Sequence, residues 1–212
     1  MAAKTTKDRI LDAAERLFAT QGVSGTSLRN VIKEAGVNTA AVHYHFGSRE
    51  GLVEAVLVRR AAPINNERLR LLGRLEARHP SGPLPLEEVV EAFVAPVLQA
   101  KLDASVDRDL FRQLMGRVLA EADARVPEMI HRVFGEVRAR FGHAFVRALP
   151  GLSREDVRVK MHLMIGAMAL GIAAKGAHVS PEEGPVDYAD SGRLLSHLVE
   201  FIAGGMRGTA TR

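Results

Sequence analysis

Thr39, Ala40, His43 and Tyr44 fall within six residues of one another, with Asn38 just before them and His45 and Arg49 just after. Hydroxyl, imidazole, phenol and guanidinium are groups for hydrogen bonding and charge pairing. Ser27 and Arg29 stand a little upstream. A serine at a helix start can offer its hydroxyl, and expose the N–H groups of the first turn, to an anion such as phosphate. Tyr44 adds a rigid hydroxyl donor, and Arg29 and Arg49 supply cations. His43 and His45 do not suggest a metal pair, because residues i and i+2 of a helix face different sides and no HExxH pattern accompanies them. The chain has no cysteine, which excludes disulfides, thiolate catalysis and cysteine-based metal sites. A small helical enzyme or carrier is the rival reading, but no Gly-rich phosphate loop, GxSxG or catalytic acid pair is present. No metal and no cofactor are expected.

The elements that hold these residues read as helices throughout, giving an all-α chain. Residues 5–21 form a first helix: Thr5 and Asp8 have capping-box spacing, and Ile10, Leu11, Ala14, Leu17 and Phe18 share one stripe. Gly22 ends it. Thr26 or Ser27 caps a second helix running to Ala35, with Leu28, Val31, Ile32 and Ala35 inward. Gly36 closes that helix, and Asn38 caps a third over about 39–45, with Ala41 and Val42 inward and Phe46 just beyond. A fourth starts near Arg49, after Gly47-Ser48. Two short helices joined by Ala35-Gly36-Val37-Asn38 make a helix–turn–helix. Its second helix is short enough to enter a major groove ~12 Å wide, with Thr39, Ala40 and His43 on the outward side.

The stretch from Ile10 to Leu52 (ILDAAERLFATQG, then GTS, then EAGVNTAAVHYHFGSREGL) resembles the DNA-binding domain of TetR-type transcriptional regulators. The resemblance implies a recognition helix in which Thr39, Ala40 and His43 meet bases. It implies phosphate contacts from Ser27, Tyr44, His45 and Arg49, with His45 alternatively hydrogen-bonded inside the domain. Arg29 and Asn38 are counted with this DNA-facing set. Three positions depart from the family pattern: Val31-Ile32, Arg49 and His43. The last means that base preference cannot be carried over.

Beyond residue 48 the pattern changes to longer helices with a larger core, so the expected domains are 1–48 and 49–212. Pro63 is expected to kink or break the fourth helix, with 64–78 helical again, and His79 to Pro83 is a loop. Helices follow over 86–102, where Pro96 should introduce a bend, and over 107–123, 127–148, 153–177 and 188–206. A loop near 179–185 precedes the last, and the tail from Gly204 should fray. The helix over 153–177 is apolar nearly all round and so needs cover on every side. A homodimer built from 153–177 and 188–206 supplies that cover, as the family resemblance also implies. It would set two recognition helices on a near-palindromic double-stranded operator, about 34–36 Å apart.

The family resemblance further implies a pocket for a small apolar effector among the middle helices. Phe111, Leu114, Met115, Val118, Phe134, Val137, Phe141, Phe145, Met164 and Met168 are candidate lining, with plain core as the alternative for each. The run from DLFRQLMG to AGGMRG resembles the fatty-acid-responsive branch of the family more loosely. That implies a long-chain fatty acid or acyl-CoA, whose head group would want a cation such as Arg112 or Arg138. The expected action is that of a ligand-released repressor, an activator being the milder alternative.

Composition fits this picture. Hydrophobic residues are 47% and charged residues 25% of 212, which excludes wholesale disorder. The longest run without a polar side chain, Leu163 to Ala174, has twelve residues, against ~18 or more for a membrane span. MAAKTTKDR has no apolar signal core, so the cytoplasm is the default location. Residues 1–60 hold nine Lys or Arg against six Asp or Glu, while the remainder holds twenty against nineteen. Most of the excess positive charge therefore sits in the segment that carries the candidate polyanion-facing residues.

Overall fold

A computed structural model describes residues 4–99, 114, 126–173 and 191–208. The described residues form eight helices: α1 (Thr6–Gln21), α2 (Leu28–Ala35), α3 (Thr39–Phe46), α4 (Arg49–Arg78), α5 (Leu86–Gln99), α6 (Val126–Ala148), α7 (Arg154–Ala173) and α8 (Ser191–Arg207). The all-α expectation holds. The expected helix 107–123, the loop 179–185 and the ends of the last two expected long helices (174–177 and 188–190) lie outside the described residues. Among the described residues no helix is long and apolar enough to cross a membrane.

The chain divides into two compact units, Met1–Pro63 with Leu102–Phe134, and Ile64–Lys101 with Gly135–Arg212. The division falls inside α4 rather than at residue 48. The reason is packing: Leu52, Val53, Val56 and Leu57 of α4 are buried in the same core as Ile10, Phe18, Val31 and Val42. Leu114 also belongs to this core, so it is not part of the second unit's apolar interior. Fully burying side chains of the size of Phe18 or Ile10 contributes roughly 1.5–3 kcal/mol each, enough to lock three short helices that would be marginal alone.

Local chemistry sets the helix ends of the first unit. Thr5 and Asp8 form the capping box, with Thr5 Oγ1 accepting from the Asp8 amide at 3.1 Å. Ser27, not Thr26, caps α2; Thr26 is buried and donates its hydroxyl to the Gly22 carbonyl at 2.7 Å. Gly36 ends α2 in the left-handed region, φ 62°, where a Cβ is strained. Arg9 of α1 clasps this turn by donating to the Ala35 and Gly36 carbonyls at 2.7 and 2.9 Å.

Pro63 does not end α4, which is one helix from Arg49 to Arg78. Proline removes one N–H donor, and the ladder resumes on either side because both flanks bury apolar residues, Ala61 and Ile64. In the second unit, Leu72 and Leu75 of α4 share a core with Val89, Val90 and Phe93 of α5, Phe141 and Phe145 of α6, Met161, Met164 and Met168 of α7, and Leu195, Leu198 and Ile202 of α8. α5 runs through Pro96 without a break. The end of α8 is held rather than frayed: Gly204 and Gly205 are helical, and Lys160 of α7 donates to the Gly205 and Gly208 carbonyls at 2.8 and 2.7 Å.

Candidate nucleic-acid interface

α3 presents one face to its own unit and the other to solvent. Val42 is buried and Ala41 half-buried, while Thr39, Ala40, His43 and Tyr44 are exposed. Asn38 caps the helix, its Oδ1 accepting from the Ala41 amide at 2.8 Å. The acceptor oxygen of Asn38 is thereby committed, which leaves its NH2 group as the part able to meet a ligand. Small residues at the first turn let another molecule approach the helix backbone and its partial positive charge.

Tyr44 is 86% exposed, an unusual place for a phenol ring. Its only ring contact among the described residues is edge-on with His45 at 5.1 Å. His45 is half-buried, and its ring also lies 6.0 Å from Phe46, so it supports the rim as well as facing it. His43 Nδ1 lies 3.0 Å from the Gly47 carbonyl. A carbonyl only accepts, so Nδ1 carries the hydrogen in this contact, and Nε2 is left for another partner.

Ser27 and Arg29 are exposed at the start of α2. Ser27 Oγ accepts from the Asn30 amide at 3.2 Å, so its hydroxyl hydrogen remains to be donated. Arg29 makes no ion pair among the described residues. Arg49 differs from the sequence expectation of a simple phosphate cation: its Nε donates to the Thr26 carbonyl at 3.2 Å, and a terminal nitrogen donates to the Val23 carbonyl. Its guanidinium fastens the start of α4 to the loop before α2. This second role could not be read from its type alone.

The candidate effector residues scatter more widely. Phe111, Arg112, Met115 and Val118 lie outside the described residues. Val137, Phe141, Phe145, Met164 and Met168 are buried together in the core of the second unit, and Phe134 is half-buried. Arg138 is exposed, one step round α6 from the buried Val137, and therefore faces away from that core. The cation that is inside it, Arg68, escaped sequence reading because nothing in a helical pattern distinguishes a buried arginine from a solvated one. Glu15 escaped for the same reason. Among the described residues no cluster of three or more metal-ligating side chains occurs.

Residues 10–56 match the family described as bacterial regulatory proteins, tetR family, and residues 91–205 match the tetracyclin repressor-like C-terminal domain. The chain belongs to the TetR family. TetR-family proteins are transcriptional regulators rather than enzymes, which removes the rival catalytic reading. Among its relatives, SrpR of Pseudomonas putida, an HTH-type transcriptional regulator, is 40% identical over 62 residues, 29% of each chain. AcrR of Shigella flexneri, also an HTH-type transcriptional regulator, is 32% identical over 113 residues, 53% of this chain and 47% of AcrR. The match spans less than half the length of these curated relatives. The TetR fold extends over the whole chain in solved structures: FadR of Bacillus halodurans, a fatty acid degradation regulator, has a TM-score of 0.63 at 15% identity, covering 99% of this chain and all of that one. Salmonella enterica GusR has a TM-score of 0.58 at 20% identity, covering 96% of each.

Proposed function

We propose that this TetR-family chain is a homodimeric repressor that binds a near-palindromic DNA operator and leaves it when a small apolar effector binds. The observation that carries the DNA side is the exposed row Thr39, Ala40, His43 and Tyr44 on a helix whose other face is buried. Thr39, Ala40 and His43 meet base edges. Asn38, Tyr44, Ser27, Arg29, His45 and Arg49 line the flanking phosphates. With its Nδ1 engaged by the Gly47 carbonyl, His43 keeps Nε2 for a hydrogen bond to a base edge in the major groove.

The dimer is supported by what α7 and α8 leave uncovered. α7 buries Val157, Met161, Met164 and Met168 but exposes Val159 (53%) and Leu163 (64%), and α8 exposes Phe201 (70%). Large apolar side chains grouped on two helices mark an association surface, and a second copy of the same pair of helices matches it in kind. Two copies also double the phosphates neutralised, which one copy alone does too weakly. The effector side is supported by the adaptable Met and Phe interior of the second unit, with Met164, Met168 and Phe141 as lining. A long-chain fatty acid or acyl-CoA is the effector class suggested by the likeness to the Bacillus halodurans regulator. Ligand binding shifts α4, whose residues belong to both units, and operator affinity falls; a coupling of ~1–3 kcal/mol gives a 5–150-fold change.

The test is DNA binding followed by fluorescence anisotropy with the protein's own upstream DNA, over a range of salt. Tyr44→Phe should weaken binding on all sequences, and His43→Ala should change sequence preference with the salt slope intact. Ser27→Ala removes both a phosphate donor and a helix cap, worth about 1 kcal/mol. Ser27→Asn, which keeps the cap, is therefore the informative partner. Absence of salt-dependent duplex binding by the dimer overturns the proposal.

A further inference from the structure

The second unit buries a cation. Arg68 of α4 is 3% exposed. Its Nε donates to the Phe93 carbonyl at 2.8 Å, and its guanidinium carbon lies 4.0 Å from the centroid of the Phe93 ring. Among the described residues the two terminal nitrogens meet only weak acceptors: Nη1 is 3.4 Å from Asn65 Oδ1, and Nη2 is 3.7 Å from Met168 Sδ. Among the described residues no carboxylate pairs with it. By contrast, Arg59 and Arg60 in the first unit both pair with Glu15. Burial alone pulls the Arg68 pKa down, to about 9, which still leaves the group charged at neutral pH.

A buried charge without a counter-ion is costly, and its geometry says what would relieve that cost. The Phe93 ring covers one face of the guanidinium and the Phe93 carbonyl takes Nε. The end-on edge, Nη1 and Nη2 side by side, is held by a long amide contact and a thioether. That edge is the fork which fits a carboxylate with two parallel hydrogen bonds. Met168 has a flexible side chain, so its sulfur is a replaceable occupant of the Nη2 direction. The neighbouring core is apolar: Phe141, fully buried, stands edge-on to Phe93 at 5.0 Å.

We propose that Arg68 anchors the carboxylate of an amphipathic acid, whose apolar body lies against Phe93, Phe141 and Met168. This deepens the effector-released reading above and rests on it for its biological meaning. One isolated cation in an apolar interior favours a singly charged carboxylate over a phosphate or a coenzyme A thioester, which carry several charges and, in the thioester, no free carboxylate.

The test uses the full-length protein with dodecanoate, 4-phenylbutanoate, dodecanol and dodecanoyl-CoA, read by calorimetry and by thermal shift. The wild type should bind at least one of the two acids more tightly than dodecanol, by on the order of tenfold to a hundredfold, and dodecanoyl-CoA should not replace it. Arg68→Met, close in volume, should raise the melting temperature of the ligand-free protein and abolish the preference for acid over alcohol. Arg68→Lys, which keeps the charge and loses the fork, should retain part of that preference. Equal binding of acid and alcohol, tighter binding of the thioester, no binding of either acid, or an unchanged acid preference in Arg68→Met each overturns the anchor. Operator binding is measured in parallel on ligand-free protein. A protein that binds acid but no DNA refutes the repressor and leaves the anchor; one released from DNA by dodecanol as readily as by the acids refutes the anchor and leaves the repressor.

Discussion

Glu15 of α1 and Arg60 of α4 form a two-pronged ion pair inside the first unit, Arg60 Nε donating to one carboxylate oxygen and Nη2 to the other, both at 2.5 Å. Glu15 is 1% exposed and also accepts from Arg59 Nη2 at 2.6 Å. Arg59 in turn reaches Asp12 at 2.8 Å. The network binds the first helix to the part of α4 just before Pro63, so the helix that presses on the α2–α3 pair is tied to the helix that leaves the unit. Glu15→Ala removes the acceptor of two cations. Breaking a buried pair in this way costs about 3 kcal/mol, and the expected outcome is a loss of that order in urea denaturation of the first unit. Restoring a hydrogen-bonding but uncharged group in Glu15→Gln should recover only part of it.

Asp12 gives that network a pH dependence. Its partial burial raises the carboxyl pKa, but hydrogen bonds from Lys4 and Arg59, with their charges, outweigh burial and leave the group below its usual 3.8. A carboxyl held lower in the folded state than in the unfolded chain stabilises the fold fully above the unfolded pKa, about 3.9. That contribution is lost as pH falls below it, through the folded value. Asp12→Asn should therefore be less stable than wild type at pH 7 and approach it as pH drops below about 4. Stability curves for the two proteins that stay parallel across that range would show the shift to be absent.

Gly51 makes the junction between α3 and α4. A Cβ built there would lie 2.2 Å from the Phe46 carbonyl oxygen, too close for any real contact, and the obstruction is backbone. Alanine in an exposed helix is normally more stable than glycine by about 1 kcal/mol. Here the sign should reverse, with Gly51→Ala destabilising the first unit by about 1–3 kcal/mol through forced displacement. Because Phe46 closes α3, operator affinity should fall as well. Thermal unfolding together with a binding titration measures both.

Much of the first unit was legible because its signals are local. Thr5 with Asp8, Ser27, Gly36 and Asn38 each act within four residues of themselves, so spacing alone reports them. The outward set Thr39, Ala40, His43 and Tyr44 follows from helical period once Val42 is known to point inward. What spacing could not report is contact across the fold. Arg49 is by type a cation for an external anion, yet it binds the Thr26 and Val23 carbonyls. Sequence offers Arg112 or Arg138 as the cation for an effector head group, yet Arg138 is exposed and a buried arginine is Arg68, because a helix carries arginines on several faces and only packing decides which is enclosed. Pro63, whose missing N–H predicts a kink or a break, does not break α4, where tertiary burial on both sides sustains the helix.

Phe201 offers the most direct check on the proposed association surface. At 70% exposure in one copy of the chain, its ring adds apolar area to water unless a second copy covers it. It lies on α8, which packs on α7 within the second unit, and α7 exposes Leu163 in the same way. Phe201→Glu leaves the buried stripe of Leu198, Ile202 and Met206 untouched, so the fold of one copy should survive. Placed at an interface between two copies, it buries an unpaired charge among apolar side chains, which costs several kcal/mol. The variant should run as a monomer in sedimentation at micromolar concentration while keeping its helical circular dichroism. Operator affinity should drop with it, since a monomer engages one half-site and neutralises about half the phosphates. Leu163→Glu should act alike. A dimer that persists in both variants would move the interface away from α7 and α8.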